Sequence, residues 1–281
     1  MTVAAITILA ALTFAVTFDI LRNRRIRFRT LRIPARYSAA IDGKTRFRLL
    51  HISDIHLTSS TLHRLKPFEK LADTEWDFVM ITGDLIDDES GIEPVSKALG
   101  RLKARYGKYA VLGNHDYICF CAKNIYQWFR VLTYSLFGKP PSFCPKNDIE
   151  RLAACLEQNH ITLLRNQLKE GVAEHGVKFQ IIGIDDPSAD RDDPACLYSS
   201  VNEDAFRLVI MHSPCRLGAI SPLKPEIVLC GHTHGGQIRF PVFGALSTHS
   251  DASRREPSGV VNLEGCRVHI SPGMGSGRIV P

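Results

Sequence analysis

The sequence predicts an α/β fold with more antiparallel sheet in its second half, and two observations lead to this prediction. From Phe47 onward, apolar strands alternate with stretches that have helical spacing, which is typical of an α/β sheet. After residue 178, further apolar runs follow with fewer helical stretches between them. The chain has 281 residues, of which 44% are hydrophobic and 23% charged. This composition excludes a disordered, collagenous or polytopic membrane protein.

The first apolar segment predicts a membrane anchor. Residues 2–21 contain no Lys or Arg and one acid, Asp19. As a helix they would rise about 30 Å, the hydrocarbon thickness of a bilayer. Six arginines follow between Arg22 and Arg32, so the positive-inside rule places the body in the cytoplasm. A cleaved signal peptide would carry this charge before the apolar run, whereas a buried core helix stays open as an alternative.

The net charge of +6 belongs to the segment around this anchor. Residues 1–48 hold ten basic and two acidic residues, a balance of +8, while the remaining 25 basic and 27 acidic residues give −2. Residues 22–45 therefore predict a basic juxtamembrane linker whose arginines suit anionic lipid headgroups. The balance of the body favours no nucleic-acid partner.

Eight apolar runs predict the strands of one domain over residues 46–281. The first three lie at 48–53, 77–82 and 108–112, and helical spacing separates them at about 61–73 and 91–104. The later runs cover 178–184, 206–211, 226–230, 260–263 and 267–270.

An aromatic insertion interrupts this pattern at residues 117–146. Part of it, 122–137, could form a helix before the Gly138–Pro141 break. Such a helix could pack on the core, or the segment could be an apolar lid that faces lipid or a lipid-like substrate. Both interpretations stay open.

The eight cysteines form no CxxC pair, and a cytoplasmic body would keep them reduced. Cys119, Cys121 and Cys144 could in principle form a small zinc or redox site, although their spacing matches no standard zinc finger.

Metal-ligand residue types follow five of the predicted strands. The clusters read SDIH at 53–56, GDLID at 83–87, GNHD at 113–116, MHSP at 211–214 and GHTHGG at 231–236. Because open α/β sheets bind ligands beyond the carboxyl ends of their strands, we expect one shared site. The histidines outside these clusters are expected on the surface or in the core, and they are His51, His63, His160, His175, His249 and His269.

The pattern favours a pair of metal ions. An Asp-x-His motif can direct both of its side chains to one cation, and a His-x-His motif can place its two imidazoles on two different cations. A carboxylate such as that of Asp84 can bridge two cations with its two oxygens. Histidine and carboxylate suit Mn, Fe or Zn. Two such ions about 3.5–4 Å apart polarise a phosphoryl group and generate hydroxide near neutral pH.

The sequence resembles the calcineurin-like metallophosphoesterases over about residues 46–281, and more closely their membrane-tethered bacterial branch. The resemblance implies a four-layer αββα sandwich of two mixed sheets flanked by helices. The stretches that carry it are HISDIHL, ITGDLID, VLGNHDY, IIGIDDPS, MHSP and LCGHTHGGQIRFPVFGAL.

The resemblance also implies the role of each site residue. It assigns one metal to Asp54, His56, Asp84 and His234, and the other to Asp84, Asn114, His212 and His232. It makes His115 the acid for the leaving group or a stabiliser of the oxyanion, oriented by Asp87. It places Asp185 and Asp186 near the site without a defined role. The expected cofactor is a pair of divalent ions, with Mn²⁺ preferred to Fe or Zn.

The expected function is hydrolysis of a phosphate ester or pyrophosphate bond at the cell inner membrane. Membrane-bound relatives include enzymes that split the pyrophosphate of UDP-2,3-diacylglucosamine in lipid A synthesis, and the anchor and insertion fit a lipid-linked substrate. A phosphodiesterase or phosphomonoesterase with soluble substrates is one alternative. A non-catalytic membrane-tethered scaffold is another, although such a protein would be expected to have lost ligands.

Overall fold

The computed structural model describes most of the predicted domain. The described residues are 26, 28–34, 46–119, 146–236, 250, 253 and 257–275, with the backbone alone at 239–240 and 244–245. The predicted anchor at 2–21, most of the linker and residues 120–145 of the insertion lie outside this part of the chain. The longest described helix has ten residues. No described helix has the length and apolar character needed to cross a membrane.

The strands and helices follow the predicted order. The strands are β1 Leu49–Ile52, β2 Glu75–Trp76, β3 Phe78–Thr82, β4 Lys103–Ala104, β5 Lys108–Val111, β6 Thr162–Leu163, β7 Gln167–Val172, β8 Lys178–Gly183, β9 Phe206–Ile210, β10 Ile227–Cys230, β11 Arg239–Phe240, β12 Gly244–Ala245, β13 Gly259–Leu263 and β14 Cys266–Ile270. The α-helices are α1 Lys66–Leu71, α2 Ile92–Gly100, α3 Asn114–Tyr117 and α4 Ile149–Gln158. Short 3-10 helices cover Ser59–Leu65, Glu89–Gly91, Glu174–Gly176, Pro187–Ala189, Pro194–Ser200, Leu217–Ala219, Ser221–Leu223 and His234–Gly236.

The first sheet has four strands in the order β1-β3-β5-β6, and every pair in it is parallel. Its register places Leu50 beside Val79, and Ile81 beside Ala110. The expectation of two mixed sheets is therefore wrong for this sheet as far as its described strands go. The alternation of strands and helices explains the difference, because helical crossovers connect parallel neighbours.

The second sheet has six strands in the order β13-β14-β10-β9-β8-β7 and is mixed. The four central strands are parallel, whereas β7 and β13 pair antiparallel with β8 and β14 at the two edges. The predicted antiparallel character of the second half is thus found at the edges of this sheet and in the separate pair β11–β12. At the edges, short connections join β7 to β8 and β13 to β14 as hairpins, whereas the parallel neighbours need longer crossover connections.

Two predicted helices have other bounds than expected, and one helix was not predicted. The helix expected at 61–73 begins as the 3-10 helix Ser59–Leu65 and ends at Leu71. The helix expected to reach 104 ends at Gly100, and Lys103–Ala104 pairs with Glu75–Trp76 instead. The helix α4 was not predicted, although Asp148 caps it by accepting from the backbone N–H of Arg151 at 2.9 Å.

Two apolar layers cover the two faces of the first sheet. In β3, Val79 and Ile81 pack with the helices of the first half, while Phe78 and Met80 pack against the second sheet. Both faces are buried, so β3 reads as a continuous apolar run. Leu208 of β9 lies in the same layer between the sheets. Full burial of such side chains stabilises the packing by roughly 1.5–3 kcal/mol each.

The outer face of the second sheet is covered differently from the expectation. Leu197, Leu217 and Leu223 pack on it, and all three belong to short 3-10 helices. Among the described residues, the fourth layer of the sandwich is therefore built from 3-10 turns and not from α-helices. Pro194 and Pro222 near the starts of two of these segments suit a turn that ends early.

Candidate metal centre

The predicted site residues lie where five parallel strands end. Asp54 and His56 follow β1, and Asp84 and Asp87 follow β3. Asn114 and His115 begin α3 after β5, His212 follows β9, and His232 and His234 follow β10. Three groups of possible metal ligands have their ligand atoms within 4.8 Å of one another. The groups are Asp54, His56, Asp84 and His234; Asp84, His212 and His232; and His56, Asp87 and His115.

Five of these residues have a left-handed backbone. Asp54, His56, Asp84, His232 and His234 have φ between 48° and 70°. This conformation is uncommon for residues with a side chain and persists only where the surroundings enforce it. Each strand therefore turns sharply as it ends, which keeps its polar side chain at the sheet edge.

The first group brings two imidazole nitrogens together. His56 Nε2 lies 3.2 Å from His234 Nε2 and 3.5 Å from Asp84 Oδ2. His56 Nδ1 lies 2.7 Å from Asp87 Oδ1, and His234 Nδ1 lies 3.1 Å from the carbonyl of Gly275. Carboxylates and carbonyls only accept, so both Nδ1 atoms donate and both neutral rings carry their lone pair on Nε2. Two lone pairs that face each other beside a carboxylate fit a cation.

The second group repeats this arrangement. His212 Nδ1 donates to the carbonyl of Thr82 at 2.8 Å, which leaves the lone pair of the neutral ring on Nε2. That nitrogen lies 3.2 Å from Asp84 Oδ2 and 3.1 Å from His232 Nδ1. Asp84 Oδ2 therefore faces one imidazole from each group, as a bridging carboxylate would.

Asn114 supplies an independent test of the fit to a metal. Its side-chain Oδ1 is buried and has no hydrogen-bond partner among the described residues. A buried acceptor without a donor is costly and needs an explanation such as an ion. The backbone N–H of the next residue, His115, donates to Asp84 Oδ1 at 2.9 Å, which ties this turn to the ligand groups. The donor set of imidazole, carboxylate and amide oxygen fits Mn, Fe or Zn.

The metal-free chain favours positive charge in this cluster. Burial would lower the pKa of His56, but Asp87, Asp84 and Asp54 together raise it to about 9. Burial also opposes the charge of His212, yet Asp84 raises its pKa well above the ordinary value. Burial would raise the pKa of Asp84, and the imidazoles around it hold that pKa well below its usual range. By contrast, burial lowers the pKa of His234 to about 4.

Asp87 joins a ligand histidine to the predicted acid. Its Oδ1 accepts from His56 Nδ1 at 2.7 Å and from His115 Nδ1 at 3.0 Å. The two rings lie edge to face with centroids 4.5 Å apart. One carboxylate oxygen thus orients both imidazoles and sets their tautomers.

Asp116 is the last residue of the GNHD cluster, and the sequence pattern predicted no role for it. Its carboxylate is fully buried and accepts from the backbone N–H groups of Gly113, Leu85 and Ile86 at 2.9, 2.8 and 3.1 Å. It therefore fastens the turn after β3 to the turn after β5. Burial and the charge of Asp84 raise the pKa of Asp116 to about 7.

Gly231 allows the two sheets to meet at the site. A side chain there would overlap Ser53 Oγ and Asp54 Oδ2. The space left by the missing side chain lets the backbone N–H of His232 donate to Asp54 Oδ1 at 3.0 Å. The close approach joins β10 of the second sheet to the end of β1 in the first.

The remaining residues named from the sequence lie as follows. Asp185 accepts from Tyr117 Oη at 2.6 and 2.8 Å, and Asp186 accepts from the backbone N–H of Ser188 at 3.2 Å. His51 and His269 pair through their Nδ1 atoms at 2.9 Å, outside the three ligand groups. His63, His160 and His175 are exposed, whereas His249, Cys121 and Cys144 lie outside the described residues.

Comparison with known proteins assigns the family. The sequence model of the calcineurin-like phosphoesterases matches residues 47–236, more than half of the chain. The chain is 29% identical to the uncharacterized metallophosphoesterase YkoQ of Bacillus subtilis over 204 residues, which cover 72% of this chain and 66% of that protein. It is 28% identical to the UDP-2,3-diacylglucosamine pyrophosphatase LpxG of Chlamydia muridarum, over 75% of this chain and 69% of that one.

A third relative comes from an animal. The chain is 29% identical to a transmembrane protein with metallophosphoesterase domain of Bos taurus, over 69% of this chain and 41% of that protein. The matches thus span about two thirds of the two bacterial relatives and less than half of the animal one. The family match and the candidate metal ligands agree: the chain belongs to the calcineurin-like phosphoesterases and is a metal-dependent phosphohydrolase.

Proposed function

We propose that the chain hydrolyses a phosphate ester or pyrophosphate bond with two divalent metal ions. Asp84 would bridge them. The ligands proposed for the first ion are Asp54, His56, Asp84 and His234, and those for the second are Asp84, Asn114, His212 and His232.

One observation carries this proposal. Nε2 of His56 and Nε2 of His234 face each other at 3.2 Å beside Asp84, and neither neutral ring has a proton there to share. A proton on His56 could relieve this contact, and burial notwithstanding, the negative charges of Asp87, Asp84 and Asp54 raise the pKa of His56 to about 9. A divalent cation relieves it better, because it accepts both lone pairs and balances the carboxylate charges as well.

The proposed roles of the residues beyond metal binding are proton transfer by His115 and orientation of that ring by Asp87. When bound, the metal pair polarises the phosphoryl oxygens and supplies a nucleophile near neutral pH. The Nδ1–H of His115 donates a hydrogen bond to Asp87 at 3.0 Å, so the imidazolium form would carry its second proton on Nε2 and transfer that proton to the leaving group. Asp87 would stabilise the imidazolium and hold the ring in this orientation.

We assign Mn²⁺ as the preferred metal, with Fe or Zn as alternatives. The proposed ligands combine imidazoles with carboxylate and amide oxygens and include no thiolate. This mixed nitrogen and oxygen set suits borderline to hard divalent ions better than soft ones.

The proposed substrate is a lipid-linked phosphate compound of the UDP-2,3-diacylglucosamine type at the cytoplasmic face of the inner membrane. Two findings support it: the relative whose name states this pyrophosphatase activity, and the apolar run at 2–21 with the arginines that follow it. The insertion at 117–146 is rich in aromatic residues, so it would suit contact with the two aliphatic chains of such a substrate. Nucleic acid is not proposed, because the body is slightly acidic.

The test is turnover by the full chain in detergent with Mn²⁺. UDP-2,3-diacylglucosamine is compared with bis(p-nitrophenyl) phosphate and p-nitrophenyl phosphate, each against the Asp84→Asn variant. Hydrolysis of the lipid substrate above the variant supports the whole proposal. Hydrolysis of the nitrophenyl esters alone contradicts the lipid substrate and indicates a phosphoesterase with soluble substrates.

Metal analysis tests the site itself. The purified chain is expected to hold close to two equivalents of Mn²⁺ after dialysis and fewer in Asp84→Asn. A chain without bound metal and without turnover of any ester would be a scaffold, and it would contradict the proposed site.

A further inference from the structure

A cation–aromatic pair lies at the edge of the metal centre. The guanidinium carbon of Arg191 lies 4.0 Å from the centroid of the Tyr117 ring. Tyr117 is only 6% exposed, while Arg191 is exposed to solvent. Stacking of this kind holds a guanidinium in a fixed orientation and leaves its donors at the edge of the plane available to an anion.

Two connections place this pair beside the ligands. Tyr117 is three residues after Asn114 in the single turn of α3, so the two side chains are neighbours about 5–6 Å apart at Cβ. Arg191 closes a turn onto the end of β8, because its backbone N–H donates to the carbonyl of Asp186 at 3.1 Å. β8 pairs in parallel with β9, and the end of β9 leads directly to His212.

The loop that carries Arg191, residues 185–193, is acidic, yet four of its five carboxylates bond to other groups. Asp185 accepts from Tyr117 and faces Arg165 Nε at 3.3 Å. Asp186 accepts from Ser188. Asp190 and Asp192 both pair with Arg216.

Arg191 differs from the other arginines of this region in its contacts. Arg165 also faces the Tyr117 ring, at 5.9 Å, but its charge is paired with Asp185. Among the described residues Arg191 makes no ion pair within 4.0 Å, although acids flank it in the sequence. Its positive charge is thus oriented by the ring and is not neutralised by the loop.

Asn166 makes the loop rigid. Its side-chain Oδ1 accepts from the backbone N–H groups of Asp185 and Asp193 at 3.1 and 3.0 Å, and its Nδ2 donates to the carbonyl of Arg191 at 2.8 Å. These bonds bind both ends of the loop and its centre to one residue. The position of the guanidinium is therefore set before any substrate arrives, which lowers the entropic cost of binding.

We propose that Arg191 is a specificity-determining residue that binds a second phosphate group of the substrate, beyond the phosphoryl group that is hydrolysed. The planar donors of a guanidinium match the oxygens of a phosphate in a bidentate fashion. Arg191 stacks on Tyr117 of the helix that begins at Asn114, so the second phosphate would extend from the metal centre toward the end of this helix. This inference rests on the proposed function of the metal centre.

The experiment compares two inhibitors that differ by one anionic group. Propylphosphonate carries one phosphonate, and propane-1,3-diphosphonate carries two on the same carbon chain. Their inhibition constants are measured against bis(p-nitrophenyl) phosphate with the Mn²⁺-loaded full chain and its Arg191→Ala, Arg191→Lys and Arg151→Ala variants. Arg151 pairs with Glu93 on α2, so its removal changes the net charge equally without touching the site.

We expect Arg191→Ala to raise the inhibition constant of the diphosphonate about ten- to a hundredfold, which is the effect of losing a charge-assisted hydrogen bond. The inhibition constant of propylphosphonate and the kcat for the diester should change less than twofold. For the diphosphonate, the inhibition constant of Arg191→Lys should lie between those of the parent chain and Arg191→Ala. The inhibition constant of Arg151→Ala should equal that of the parent chain. Equal weakening of both inhibitors, or of neither, overturns the proposal.

The two proposals fail in different ways. If the parent chain hydrolyses none of the esters, the proposed function fails. Calorimetric binding of the same two inhibitors to the Mn²⁺-loaded chain then still decides the role of Arg191. If hydrolysis is normal and the diphosphonate binds the Arg191→Ala variant as tightly as the parent, only the inference about Arg191 fails.

Discussion

The two sheets bring different chemistry to the same edge. The turns after β1, β3 and β5 of the first sheet carry all of the site's carboxylates and its amide, together with His56 and His115. The turns after β9 and β10 of the second sheet carry imidazoles alone, at His212, His232 and His234. Neither sheet holds a complete ligand set, since Asp84 faces His212 across the interface at 3.2 Å and Asp54 faces His234 at 3.6 Å.

Because of this division, the site forms only when the two sheets pack at the correct distance from each other. Each proposed ion takes ligands from both sheets, so the ions would cross-link the two halves of the sandwich. The apolar layer of Phe78, Met80 and Leu208 beneath the site sets the spacing at which these ligands meet. The following predictions change one side of this arrangement at a time.

The largest effect is expected from the carboxylate side. Asp84→Asn should lower kcat/KM about 10⁴-fold, because one ligand of both proposed ions is lost and each ion supplies several kcal/mol of transition-state stabilisation. Metal content and steady-state kinetics are measured together. Asp88→Asn is the control, because Asp88 accepts from Ser90 and lies outside the ligand groups. An active Asp84→Asn variant with a full metal complement would contradict the bridging role.

His115 tests whether a first-sheet imidazole acts without holding metal. His115→Gln should reduce kcat on the order of 10³-fold, within the range for a lost general acid, while the metal content stays unchanged. The effect should be smaller for an ester with a good leaving group, such as p-nitrophenol, than for an alkyl ester. His63→Gln, at an exposed histidine, is the control. Loss of metal in His115→Gln would instead make this residue a ligand.

The contact between the two sheets can be changed at Gly231. Gly231→Ala should reduce kcat/KM about 10²-fold, because the added methyl would overlap Asp54 and push the turn after β10 away from β1. Gly218→Ala is the control, since its methyl would meet only the flexible carboxylate of Glu264. Circular dichroism should report a folded chain in both variants. Full activity in Gly231→Ala would show that the two sheets tolerate a wider spacing at this point.

The smallest effect concerns pH. The folded pKa of His56 is about 9, above the ordinary 6.5, so its protonation stabilises the metal-free chain below about pH 6.5 and this contribution is lost as pH rises through 9. Metal binding needs the neutral ring, so affinity for Mn²⁺ should rise about tenfold per pH unit for each proton displaced.

Thermal unfolding with and without Mn²⁺ at pH 6, 7 and 8 measures this linkage. The increase in Tm caused by the metal should grow with pH. His51→Gln, at a histidine outside the ligand groups, should show the same trend. An increase in Tm that does not depend on pH would contradict proton release on metal binding.

Local sequence patterns predicted eight of the ten strands in the two sheets and their order along the chain, whereas β6 and β7 were not predicted. The strands β3, β5, β9 and β10 bury every residue, and such continuous apolar runs are visible without tertiary information. The nine residues predicted for the site were chosen because each belongs to a polar cluster that follows such a run. The helix α4 was missed although its sequence carries a helical signal: Ile149, Leu152 and Leu156 have helical spacing, and Asp148 precedes them as the N-cap residue.

Other features depend on residues far apart in the sequence and therefore became visible only with the packed chain. The pairing of β4 with β2, the 3-10 layer on the second sheet and the stacking of Arg191 on Tyr117 have no local signal. The same holds for the single oxygen of Asp87 that orients both His56 and His115. Residue types and spacing thus established a metal-dependent hydrolase. The distances between ligands of different sheets, the tautomers of the imidazoles and the stacking of Arg191 on Tyr117 arise when two apolar faces close against each other.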